Sequence, residues 1–137
     1  MNSLLQNANF HIYLTDDTLV IDIINGKYNK ENFMSGIQYL QNFWLLIANT
    51  DDKYHQMFIF NDVGLYPLDF YTSIISTLKS LESIYKTRLH SSCVVSNSNA
   101  FEIMKPVLNM YKAVRPFKFV STEEEGRTFL QRNKWNK

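Results

Sequence analysis

Apolar side chains follow two rhythms along this chain, and the rhythms alternate from Phe10 to Leu130. A period of two residues makes one face of a strand apolar, whereas a period of three to four makes a stripe along a helix. The first stretch keeps the shorter period. Phe10 to Thr15 and Thr18 to Asn25 are rich in β-branched and aromatic residues, and Asp16 and Asp17 between them suit a tight reversal. They predict a hairpin. In its second strand Leu19, Ile21 and Ile23 form a wholly apolar face opposite Val20, Asp22 and Ile24, and Gly26 ends the run.

From Lys30 to about Asn49 the longer period takes over, with Phe33, Ile37, Leu40, Trp44 and Ile47 on one stripe, Asn29 as N-cap and Glu31 in the first turn. A polar loop, Thr50 to Lys53, leads to Met57–Phe60, a short apolar run suited to a strand covered on both faces. Beyond Val63 to Pro67, Asp69 is placed to cap a second helix with the stripe Tyr71, Ile74, Ile75, Leu78, Leu81 and Tyr85, ending near Lys86 to Arg88. Leu89 to Val95 reads as another buried strand, and Ser96 to Asn99 as a turn. A third helix over 100–111 follows from Ala100, Ile103, Met104, Val107, Leu108 and Tyr111, with a kink at Pro106. Phe117–Val120 is the last strand. Ser121 and Glu124 have capping-box spacing for a final helix through Leu130. Residues 1–8 and 131–137 are expected to fray.

This order, ββαβαβαβα, predicts an α/β fold with a single mixed sheet of about five strands and about four helices. A chain of 137 residues is long enough for one core and too short for two ordinary domains. The longest apolar run, Phe43 to Ala48, is far below the roughly 20 residues that cross a bilayer. No secretory pattern opens the chain, and the single cysteine, Cys93, fits a reducing compartment, so a soluble cytoplasmic protein is expected. Fourteen basic residues against 13 acidic ones leave a formal charge of +1, which supplies no field for nucleic acid.

The element order and three local strings resemble the STAS family, named for sulfate transporters and anti-sigma factor antagonists, in its small stand-alone bacterial form. The strings are Ser92-Cys93-Val94-Val95-Ser96-Asn97, then Tyr111-Lys112-Ala113-Val114-Arg115-Pro116-Phe117-Lys118-Phe119, then Ser121 through Leu130. The resemblance covers nearly the whole chain and implies a STAS-like, non-enzymatic regulator that binds another protein. In the antagonists a loop reading Asp-Ser-Ser-Gly carries the phosphorylated serine. The matching stretch here is Asp69-Phe70-Tyr71-Thr72, with Phe70 at the acceptor position and Thr72 at the glycine position, so the phosphoswitch does not carry over. Distant similarity to CRAL-TRIO domains implies the rival reading, a carrier of a small apolar ligand or lipid walled by Phe33 to Ile47.

The partner-binding candidates are Asp62, Asp69, Tyr71, Thr72 and Ser73, around the C-terminal end of a central strand, where open α/β sheets tend to bind. An enzyme using Asp62 or Asp69 is a third reading. His11, His55 and His90 have no spacing that places two on one helical face, so no metal site is expected. His90 and Cys93, three apart on a strand, point to opposite faces, which argues against an activated thiol. The paired acids Asp16–Asp17, Asp51–Asp52 and Glu123 to Glu125 read as turns and a helix N-terminus. The glycines, Gly26, Gly36, Gly64 and Gly126, are too scattered for a nucleotide cradle, and no cofactor is expected. Arg127, Arg132, Lys134 and Lys137 with Trp135 read as a solvated tail. Tyr13, Tyr28, Tyr39 and Tyr66 lie off the core stripes and would make a partner surface if exposed together. Self-association is expected if the hairpin edge or the aromatic helix face stays uncovered, giving a homodimer.

Overall fold

The computed structural model of the chain describes residues 2–24, 28–60, 67–96, 105–106, 109 and 111–135. Asn2–Gln6 (β1), Phe10–Thr15 (β2), Thr18–Ile23 (β3), Tyr54–Phe60 (β4), Leu89–Val95 (β5) and Phe117–Val120 (β6) form one sheet in sequential order. The strands β1 to β3 are antiparallel and β3 to β6 are parallel, so the fold is α/β with a single mixed sheet. Its helices among the described residues are Lys30–Ile47 (α1), Leu68–Ser80 (α2), Glu82–Arg88 (α3) and Glu123–Arg132 (α4).

The connections β3–α1–β4 and β4–α2–α3–β5 put α1, α2 and α3 on one face of the sheet. There Phe33, Ile37, Leu40, Trp44 and Ile47 of α1 and Phe70, Tyr71, Ile74, Ile75 and Leu78 of α2 meet the inward side chains of β2 to β5. Gly36 sets how close α1 lies, because a Cβ at that position would overlap three ring atoms of Phe10. Phe10, Phe33 and Phe70 then stack with centroid separations of 4.7 to 6.5 Å. The opposite face is covered by α4 through Leu130, against Val20, Met57, Ile59, Cys93 and Val95.

The single mixed sheet expected is present, with a sixth strand beside the about five anticipated. Asn2–Gln6, expected to fray, pairs with β2, and a bulge between Ser3 and Leu5 lets the adjacent Leu4 and Leu5 both pack on the core. Adjacent leucines break the two-residue rhythm, which hid the strand. The strand β4 starts at Tyr54, not Met57, because His55 and Gln56 are buried polar residues. Gln56 accepts from the Trp44 indole at 2.7 Å and donates to the Tyr85 hydroxyl at 3.1 Å.

The helix expected from Asp69 to Arg88 is two, broken at Leu81. The hydroxyls of Thr77 and Ser80 donate to the carbonyls of Ser73 and Thr77, competing with the helix's own bonds where it ends. At α4 the N-cap is Thr122, one residue beyond Ser121, and its hydroxyl accepts from the Glu125 N–H at 3.1 Å. The helix expected over 100–111 lies almost wholly outside the described residues. The tail does not fray through 135: Trp135 N–H donates to His90 Nδ1 at 3.1 Å.

Candidate functional site

The start of α2 does not assemble the expected group. Asp62 and Tyr66 lie outside the described residues. Asp69 is exposed in the first turn rather than capping the helix, whose N-cap is Pro67 without a side-chain bond. Tyr71, expected at a partner surface, is only 1% exposed and packs against Phe60 and Phe70. Thr72 is exposed and donates to the Asp69 carbonyl at 3.2 Å, while Ser73 is half-buried. Tyr13, Tyr28 and Tyr39 are half-buried, so they form no exposed aromatic patch.

Polar chemistry instead gathers at the opposite edge, where the parallel strands begin. The turn between β2 and β3 holds Asp16 in the left-handed region (φ 54°), and Asp17 accepts the His55 N–H on its carbonyl at 2.7 Å. A slip in the β4–β5 register between Tyr54 and Gln56 sets His55 beside His90 and Ser91. The two imidazole centroids are 4.7 Å apart. His55 Nδ1 lies 2.8 Å from the Ser91 hydroxyl, and His55 Nε2 lies 3.9 Å from an Asp17 carboxylate oxygen. That Nε2 is buried and has no hydrogen-bond partner. One ligating atom from each of Asp17, His55 and His90 lies within 4.8 Å of the others. No spacing in the sequence unites these three residues; the fold brings them together. A signal was present: both strands carry histidine second, Tyr54-His55 and Leu89-His90.

The chain's own C-terminal segment closes this edge. The α4 helix delivers Lys134, whose ammonium is 2.8 Å from Asp17, and Trp135, whose N–H reaches His90. The Arg115 guanidinium sits 3.6 Å from the Trp135 ring centroid and donates to the carbonyls of Leu89 and His90, while the Lys53 ammonium lies 5.7 Å from that ring. Lys134 and Arg127 are therefore paired with acids, Arg127 with Glu123 at 2.9 Å, rather than forming a free basic tail.

Burial pushes His55 down to about 4, although the Asp17 charge opposes it. His90 is lowered by burial and by Lys134, Lys53 and Arg115, against Asp17. Burial alone would raise Asp17, but its bond to Lys134 and the neighbouring positive charges hold it below the usual carboxylate range. At neutral pH the edge thus holds two neutral imidazoles and one carboxylate. The Cys93 thiol is elsewhere, fully buried against Gly126 of α4 and pushed up to about 12 by burial.

A second surface lies on the outer side of α1. From Asn32 to Thr50 no residue is charged. Met34, Leu45 and Leu46 are 51%, 54% and 70% exposed there. A groove of about 430 Å³ runs between α1 and the α2–α3 break, lined in part by Met34, Gln38, Gln41, Leu45 and Leu81. Beneath α2, by contrast, the apolar gap bounded by Phe58, Ile75, Tyr111 and Phe117 holds only about 10 Å³.

No helix among the described residues is long and apolar enough to cross a membrane. The chain matches no family model, no curated protein and no solved structure.

Proposed function

We propose that the chain is a non-enzymatic, STAS-like regulatory module of the cytoplasm that docks a different protein on the outer face of α1. The observation that carries this reading is the uncharged helix surface from Asn32 to Thr50 with three large apolar side chains exposed on it. A helix face that only meets water gains from charged pairs, whereas the centres of protein interfaces are depleted of charge and enriched in methionine and other large apolar groups. Gln38, Gln41 and Asn42 supply hydrogen bonds around the groove without a charge to desolvate. The partner this chemistry fits is an apolar, uncharged protein segment seated between α1 and Leu81.

The carrier reading has less support. Ligand pockets for drug-sized molecules are typically about 300–1,000 Å³. The gap beneath α2, at about 10 Å³, is a small fraction of that, and the α1 groove, at about 430 Å³, is within the range but open to solvent and lined in part by Gln38, Gln41, Asn42 and Ser80.

The test is a comparison of the chain with a Leu45→Glu, Leu46→Lys double variant as bait in the native host. Both side chains are exposed, so the fold is expected to survive, with circular dichroism as the check. A protein retained by the parent and lost at least tenfold from the variant supports the reading. Equal recovery by both baits refutes the α1 face. A small molecule co-purifying in native mass spectrometry, with no protein retained, favours the carrier instead.

A further inference from the structure

Independently of the α1 face, we propose that Asp17, His55 and His90 form a binding site for a divalent transition metal of the zinc class, and that Lys134 and Trp135 compete with the metal for two of its ligands. His55 Nε2 is the starting point. It is fully buried, lacks a hydrogen-bond partner and faces an Asp17 carboxylate oxygen 3.9 Å away. If Nδ1–H donates to Ser91, Nε2 presents a lone pair to a carboxylate, two acceptors facing each other. If the proton is on Nε2 instead, 3.9 Å is too long for a hydrogen bond. Neither arrangement satisfies the pair by itself; with the proton on Nδ1, a cation between Nε2 and the carboxylate satisfies both.

The donor set selects the kind of cation. Two imidazoles and one carboxylate suit zinc and its neighbours, whereas calcium and magnesium take oxygen ligands. The Ser91 hydroxyl holds the far nitrogen of His55, as outer partners of metal-binding histidines commonly do. With metal–ligand bonds of about 2.0–2.2 Å, a tetrahedral site has ligand atoms roughly 3.3 Å apart. The three groups lie within 4.8 Å, so the widest pair closes by about 1.5 Å, shared between two side chains. Three protein ligands leave a fourth position open.

The tail supplies the competition. The Lys134 ammonium places a positive charge on Asp17, and the Trp135 N–H uses the His90 Nδ1 lone pair. A metal on Asp17 displaces Lys134, and one on His90 either takes the Nδ1 lone pair or, bound at Nε2, puts the proton on Nδ1, so in both cases the Trp135 N–H loses its acceptor and the ring shifts against the Arg115 guanidinium stacked on it. Trp44 is fully buried on the inner face of α1, so a change in tryptophan emission on metal addition reports Trp135.

The experiment is titration of the purified full chain with ZnCl2 at pH 7.5, followed by calorimetry and tryptophan fluorescence, with CoCl2 as the absorbing probe. The expected result is one equivalent bound. Asp17→Asn and His90→Gln weaken it at least tenfold, and Lys134→Ala tightens it several-fold because the competing charge is gone. His11→Ala, which removes a histidine on β2 outside the cluster, leaves it unchanged. If His55→Gln fails to fold, Asp17→Asn in the β2–β3 turn, at a side chain 25% exposed, still decides the matter. Binding undiminished by both Asp17→Asn and His90→Gln overturns the proposal. So does absence of binding in both the parent and Lys134→Ala up to millimolar ZnCl2.

Discussion

Acidification is expected to unfold this chain through His55. The side chain is buried and held down to about 4, against 6.5 in the unfolded chain. The groups facing it are Asp17 from the β2–β3 turn, His90 on β5 and Lys134 after α4. Asp17 favours the imidazolium, the other two oppose it, and burial decides the outcome. The folded state therefore resists protonation while the unfolded state accepts it. This stability is fully present above the unfolded value and is lost as pH falls from 6.5 toward about 4. Between pH 8 and pH 5 the difference in proton uptake corresponds to a factor of about 30, or about 2 kcal/mol. That figure is an upper one, because the Asp17 carboxylate beside the ring is 25% exposed and water there relaxes around an imidazolium. The assay is urea unfolding at pH 8 and pH 5, in EDTA to keep any metal off the histidines, for the parent chain and for His55→Gln. The parent is expected to lose about 1–2 kcal/mol more than the variant over this interval. Equal losses in both would refute the reasoning.

Four further outcomes follow from the packing. Gln56→Leu strands the Trp44 indole N–H and the Tyr85 hydroxyl in the core; at about 1–3 kcal/mol for each unsatisfied group, urea denaturation should show a loss of roughly 2–6 kcal/mol. Gly36→Ala gains about 1 kcal/mol of helix propensity but overlaps the buried Phe10 ring, so the net change is destabilising. Gly126→Ala, whose Cβ meets Cys93 and Val95 at 3.1 Å, should show a smaller loss in the same assay. Leu46→Lys alone, at a residue 70% exposed, should shift stability by no more than about 0.5 kcal/mol.

The hairpin and α1 were legible because their signals are local. Leu19, Ile21 and Ile23 alternate, Phe33 through Ile47 keep a helical stripe, and the Asn29 side chain accepts from the Asn32 N–H as a cap should. The first three residues of β4 were hidden because His55 and Gln56 look like loop residues until Ser91, Trp44 and Tyr85 are in place to satisfy them. Those partners lie 12 to 36 residues away, beyond any local pattern. The Asp17, His55 and His90 cluster has the same cause. It is created by the register of three parallel-paired elements, and no spacing within one element encodes it. Tyr71 was misplaced for the opposite reason: its position on the apolar stripe is local and marks it as core, which outweighs its nearness to Asp69. The outer face of α1 was readable as an absence of charge, a property of the residues off the stripe rather than on it.

Site-specific photo-cross-linking in the native host tests most directly whether this chain acts through its α1 surface. A photoreactive phenylalanine analogue at Leu45 is compared with the same group at Ser83, an exposed residue of α3. The expected result is a discrete adduct to a different protein from position 45 and none from position 83. No adduct at 45, the same adduct at both positions, or an adduct of twice the chain's own mass would contradict it.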